Sequence, residues 1–138
     1  MNQGKMEQIA VKDIIVRHKY LPTKETAARR YSIFLKSEGP QIHVYRNQYG
    51  ELLLAKGIEA YNALMVIDPN KRVSTFVVSE KVTEIDWTFQ LLHYFFSENA
   101  YFMLKYEYIM LLLNETKRGV KKICDRVGCT VRIYSNIK

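Results

Sequence analysis

The spacing of hydrophobic and polar positions changes several times along the chain, and each change marks an element. Gln8 to Val16 (QIAVKDIIV) is rich in Ile and Val and predicts one or two short strands. Pro22-Thr23 then opens a helix, with Thr23 as the N-cap, Glu25 in the first turn and Gly39-Pro40 closing the far end. Within it Ala27, Tyr31, Phe34 and Leu35 recur at helical spacing while Lys24, Arg29, Arg30 and Lys36 take other faces, so an apolar stripe is expected to pack on a neighbour. The alternation in QIHVYR puts Ile42 and Val44 on one face, Asn47-Gln48-Tyr49-Gly50 reads as a turn, and Glu51 to Ala55 (ELLLA) follows as a second strand, which together predict a β-hairpin. Lys56-Gly57 breaks that strand. Ile58 to Ile67 predicts a helix with Ala60, Leu64 and Ile67 on a stripe and Asp68-Pro69-Asn70 as its stop, and Arg72 to Ser79 predicts another strand.

From Asp86 onward strand signals vanish and aromatic residues concentrate. Nine of the chain's 17 aromatics fall between Trp87 and Tyr108, and the pattern predicts helices near 86–96 and 100–113. The first carries apolar residues on nearly every face, so it is expected either as a core helix or as one covered by a second subunit. The chain therefore divides into a small mixed α/β domain, residues 1–84, and a helical region, residues 85–138, giving an α+β fold class.

Composition narrows the classes of function. With 138 residues, 48% hydrophobic, 6 Gly and 3 Pro, the chain has the make-up of one compact domain with at most a small appendage, and disordered and collagen-like readings fall away. The longest apolar run, Tyr101 to Leu113, is broken by Lys105 and Glu107, and Met1 to Val11 has no continuous apolar stretch, so neither a membrane span nor a secretion signal is expected. Two cysteines, Cys124 and Cys129, are too few for a disulfide framework or a zinc site, and the expected location is the cytoplasm. His18, His43 and His93 lack metal-ligand spacing, so no metal and no catalytic residue is assigned.

Charge changes the picture more. The formal net charge is +7, yet residues 117–138 hold seven basic side chains against the single Asp125, while the other 116 residues hold 14 basic and 13 acidic ones. The excess sits at one end of the chain, which points to a polyanion as partner. The same residues carry a helix-turn-helix pattern over 120–137. Ile123 and Val127 form the buried pair of a first helix, Cys124 is the small residue where helices cross, Gly128 the turn, Cys129 the buried residue after it, Thr130 the N-cap of a second helix, and Tyr134 and Ile137 its inner face. That leaves Arg132, Ile133, Ser135 and Asn136 facing outward as candidate base readers, since Arg and Asn make bidentate hydrogen bonds to guanine and adenine edges. Lys117, Arg118, Lys121, Lys122, Arg126 and Thr130 are the candidate phosphate contacts.

The order of parts, namely strand, helix ending at Gly39, hairpin running into LLLAKGIEAYNAL, strand, aromatic helices and helix-turn-helix, resembles that of ParB-like chromosome and plasmid partition proteins, in which a ParB/sulfiredoxin-type domain precedes a helix-turn-helix. The resemblance implies a small mixed-sheet ParB/sulfiredoxin-like domain over 1–84, a DNA partner and a homodimer. In that family a Gly-Glu-Arg-Arg box binds the phosphates of CTP. Here its positions read Gly57-Ile58-Glu59-Ala60, so the glycine is kept and both arginines are lost. Arg46 and Lys56 are the substitutes the sequence offers, and Arg46, Lys56, Gly57 and Glu59 form the candidate nucleotide set for CTP or ATP with Mg²⁺. The main expectation is no cofactor and no enzymatic activity: a DNA-binding protein of the ParB-like type, partition or regulator-like, whose α/β domain is a non-catalytic dimerisation or partner module. Two alternatives stand beside it, a nucleotide-binding switch or enzyme on the α/β domain, and a protein-interaction module with a basic tail.

Overall fold

The computed structural model describes residues 4–97, 102–116 and 120–127. Its contacts divide the chain into two compact units, Met1–Lys81 and Val82–Lys138. The first is a mixed five-stranded sheet with two helices. Its strands are β1 (Lys5–Ala10), β2 (Ile14–Ile15), β3 (Ile42–Arg46), β4 (Leu52–Lys56) and β5 (Arg72–Ser79), and its helices are α1 (Lys24–Lys36) and α2 (Ile58–Ile67). The sheet order is β1-β5-β3-β4-β2. The β1/β5 and β3/β4 pairs are antiparallel, and β3/β5 and β2/β4 are parallel. This is the expected α+β class.

The first expected strand divides in two because Val11–Asp13 forms a 3-10 turn, whose amides Val11 and Lys12 donate to the carbonyls of Lys71 and Pro69. That diversion carries the chain from one sheet edge, β1, to the other, β2. β1 also starts at Lys5, earlier than the apolar pattern shows, because the ladder to β5 recruits Lys5 and Met6 opposite Val77 and Phe76. The core side of the sheet follows strand alternation. Ile9, Val73, Thr75, Val77, Ile42, Val44 and Leu54 all lie on it and all are buried. At the hairpin turn, Asn47 closes the loop by side chain: its Oδ1 accepts from the amides of Tyr49 and Glu51 at 3.0 and 2.9 Å, and Gly50 takes φ 80°.

Thr23 caps α1 as expected, its Oγ1 accepting the Thr26 amide at 3.2 Å. Thr23→Ala is expected to lower stability by about 1 kcal/mol. Urea unfolding followed by far-UV circular dichroism reads this, and an unchanged midpoint would show that the cap is not what holds the first turn. The expected stripe of α1 is only partly buried. Ala27 is fully covered and Tyr31 and Phe34 are half-covered, but Leu35 is 57% exposed. The cause is that α1 packs mainly on α2, a contact too narrow to cover four side chains. Conversely α2, expected to bury one stripe, buries Ile58, Ala60, Tyr61, Asn62, Ala63 and Leu64, because β3 and the 3-10 turn lie against it as well as α1; Ile67, in its last turn, stays 39% exposed.

The second unit contains α3 (Glu84–Ser97), α4 (Phe102–Thr116) and α5 (Val120–Val127). α3 begins two residues before the expected Asp86, since Thr83 supplies the cap: its hydroxyl accepts the Asp86 amide at 3.1 Å. Trp87, Phe89, Leu91, Leu92 and Phe95 of α3 are buried with Leu104, Tyr108, Ile109 and Leu112 of α4 and Ile123 of α5. Phe95 and Tyr108 meet edge to face, with ring centroids 4.9 Å apart.

Candidate nucleic-acid interface

α5 is the described part of the basic C-terminal segment. Its Ile123 is completely buried, as a first helix of the motif requires, while Lys122, Asp125 and Arg126 are exposed. Lys122 and Arg126, four residues apart, share one side of the helix. Lys121 lies in the same helix. Lys117, Arg118 and Thr130, the base-reading candidates Arg132, Ile133, Ser135 and Asn136, and the turn and second helix of the motif all fall outside the described residues.

Arg126 has partners that the sequence does not announce. Its Nη2 donates to Asp86 Oδ1 at 2.9 Å, and its guanidinium carbon lies 3.8 Å from the centroid of the buried Phe89 ring. The hydrogen bond from Arg126, followed by that from Thr83, holds the Asp86 carboxyl below the usual carboxylate range. A side chain expected on phosphate is thus engaged within its own unit.

The four candidate nucleotide residues do not gather. Gly57 sits at the start of α2 with φ 95°, beside the Gln41 carbonyl that leads into β3, and Lys56 pairs with His43 near the same end. Burial first, and then the Lys56 charge, push the His43 pKa down. Arg46 is at the other end of β3, about 13 Å along the strand at ~3.3 Å per residue. There it makes two hydrogen bonds of 2.9 Å to the Glu7 carboxylate, which hold that carboxyl below its ordinary range. Antiparallel pairing explains the separation, since residues joined across a hairpin turn run to opposite ends of the sheet. Glu59 is paired as well, with Arg30 of α1 at 3.1 Å. Arg46 therefore does not substitute for the missing box arginines.

Arg30 is the basic group that sequence reading missed. Packing of α1 on α2 brings it to the first turn of α2, and no spacing along the chain encodes that register. The Arg17–Tyr20 segment is also tied to α2: His18 Nε2 is 2.9 Å from Asn62 Oδ1, both buried, and the His18 ring meets Tyr61 edge to face at 6.2 Å. An open cleft of about 530 Å³ at the far end of the sheet is lined by Arg46, Asn47, Gln48, Ser79, Glu80 and Lys81. Among the described residues no His, Cys, Asp and Glu group could hold a metal ion, and no helix is long and apolar enough to cross a membrane.

No family model matches the chain, and no curated protein does. Solved structures do. The C-terminally truncated chromosome-partitioning protein ParB from Caulobacter crescentus, complexed to the centromeric parS site, is similar with a TM-score of 0.47 and 11% identity, over 94% of this chain and 68% of that one. The same truncated protein complexed with CTP-gamma-S gives 0.45 and 11%, over 92% and 73%. Both neighbours come from the family that the order of elements resembles, and at that identity the likeness concerns fold outline.

Proposed function

We propose that the chain is a DNA-binding protein of the ParB-like type, in which the helix-turn-helix of 120–137 enters the major groove. The observation that carries this reading is the concentration of seven basic side chains against one acidic one in 117–138, together with an α5 that buries Ile123 and exposes Lys122. Arg132, Ile133, Ser135 and Asn136 read bases, and Lys117, Arg118, Lys121, Lys122 and Thr130 contact phosphates. The chain acts as a homodimer, which sets two motifs about 34 Å apart, one DNA turn. The α/β unit serves as a non-catalytic dimerisation or partner module.

Fluorescence anisotropy with a labelled duplex tests this. Four charged phosphate contacts per protomer correspond to a slope of log K against log salt of about −3.6, so affinity is expected to fall roughly 100-fold between 50 and 200 mM salt. Lys122→Ala is expected to reduce that slope by about 1 and weaken all sequences alike. Absent or salt-indifferent binding overturns the reading, and a copurifying acidic protein would then favour the interaction module.

A second reading has one observation of its own. Arg30, held by Glu59 at the first turn of α2, is a guanidinium beside the backbone amides that a triphosphate would meet. Nucleotide binding at Gly57 and Lys56 would draw on Arg30 and not on Arg46. Titration calorimetry with CTP and ATP plus Mg²⁺ decides it, and no heat with either removes it.

A further inference from the structure

Asp86 and Arg126 are 40 residues apart in sequence and join the two ends of the helices they belong to. Asp86 is the third residue of α3, fixed there by the Thr83 cap, and Phe89 lies one turn further on, on the same side of that helix. Arg126 is in the last turn of α5, one residue before its end at Val127. A single guanidinium therefore hydrogen-bonds one side chain of the first turn of α3 and stacks on another. A lysine cannot reproduce that pairing, because its ammonium is a point charge with no planar face. An exposed ion pair alone contributes little, but here one partner also covers the ring of a residue only 3% exposed. The attachment is made where residues 128–138 depart.

We propose that Arg126 is a positioning residue: it clamps the C-terminal turn of α5 to the N-terminal turn of α3 and so fixes the platform from which the DNA contacts are made, instead of binding phosphate itself. This rests on the DNA-binding reading above.

The decisive variant is Asp86→Asn in the full chain, because two physical effects predict opposite signs for it. If Asp86 were only a surface charge, removing a negative group would strengthen binding to a polyanion. If it anchors the clamp, binding weakens. The expected result is a roughly three- to tenfold loss of affinity for a labelled mixed-sequence duplex of about 20 base pairs, with an unchanged salt slope and faster amide exchange across α5. Arg126→Lys keeps the charge and is expected to show the same loss, and the double variant no more than either single one. The proposal is overturned if Asp86→Asn binds as tightly as the parent or more tightly, if its α5 exchange is unchanged, if Arg126→Lys retains parental affinity, or if Arg126→Ala lowers the salt slope by about 0.9, the signature of one lost phosphate contact. Absence of duplex binding by the parent chain overturns the DNA reading and the positioning role with it. The exchange arm still reports whether the clamp itself exists, which tells the two failures apart.

Discussion

Gly57→Ala is expected to destabilise the α/β unit by about 2–5 kcal/mol, a large fraction of the ~5–15 kcal/mol that holds a typical domain together. Two effects add. Gly57 has φ 95°, a conformation that costs an L side chain roughly 1–2 kcal/mol. A methyl group built there would also lie 2.1 Å from the Gln41 carbonyl oxygen and 3.1 Å from the Ile42 Cα. Both neighbours are backbone at the entry to β3, so no rotamer change relieves the clash, and the strand or the helix has to shift at a further cost of about 1–3 kcal/mol. Gly50 provides the control. It has φ 80° but nothing within 4 Å of the added carbon, so Gly50→Ala isolates the conformational cost. Urea unfolding by far-UV circular dichroism compares them, and equal losses for the two would show that the close approach carries no energy. The glycine of the degenerate box thus has a structural reason to be glycine that requires no phosphate.

Phe95→Ala is expected to be comparably damaging in the second unit, by about 3–5 kcal/mol. Its ring is 1% exposed and stands edge-on to Tyr108, itself fully buried, so truncation leaves a cavity facing an aromatic that has lost its partner. Trp87, the single tryptophan of the chain, is buried in the same helix, so its emission reports the unit directly. The expected outcome is a large drop in the urea midpoint seen by Trp87 and, under the proposed function, loss of DNA binding at temperatures where the parent binds. Phe95→Leu, which refills much of the volume, is expected to cost less. A midpoint unmoved by Phe95→Ala would mean that α3 and α4 do not share the core described above.

What could be read from the sequence was the chemistry of near neighbours. Thr23 as a cap, Asn47 to Gly50 as a turn and Gly57 as a break all depend on residues within a few positions, and the structure places each as expected. What could not be read joins distant positions. Arg46 and Glu7, His18 and Asn62, and Arg126 and Asp86 are 39, 44 and 40 residues apart, and their pairing follows from strand order and helix packing, which no local spacing encodes. For the same reason Arg46 read as an available cation while the folded chain holds it on Glu7, and Arg30 read as a solvated charge while α1 delivers it to α2. The exposure of Leu35 belongs here too: helical spacing identifies a face, but how much of that face a partner covers depends on the partner's width.

The position of β5 between β1 and β3 has a consequence for how the chain assembles. β1 is made first, yet its neighbour in the sheet is separated from it by more than 60 residues, and β3 also waits for β5 on one side. Only the β3–β4 ladder joins strands adjacent in sequence. During synthesis the hairpin can therefore form while β1 has no strand to pair with, and the sheet closes in one late event when Arg72–Ser79 inserts between two segments already made. Loop closure over that distance carries its entropic cost before any of its hydrogen bonds return it, which makes arrival of the fifth strand the slow, committing step in the birth of the α/β unit.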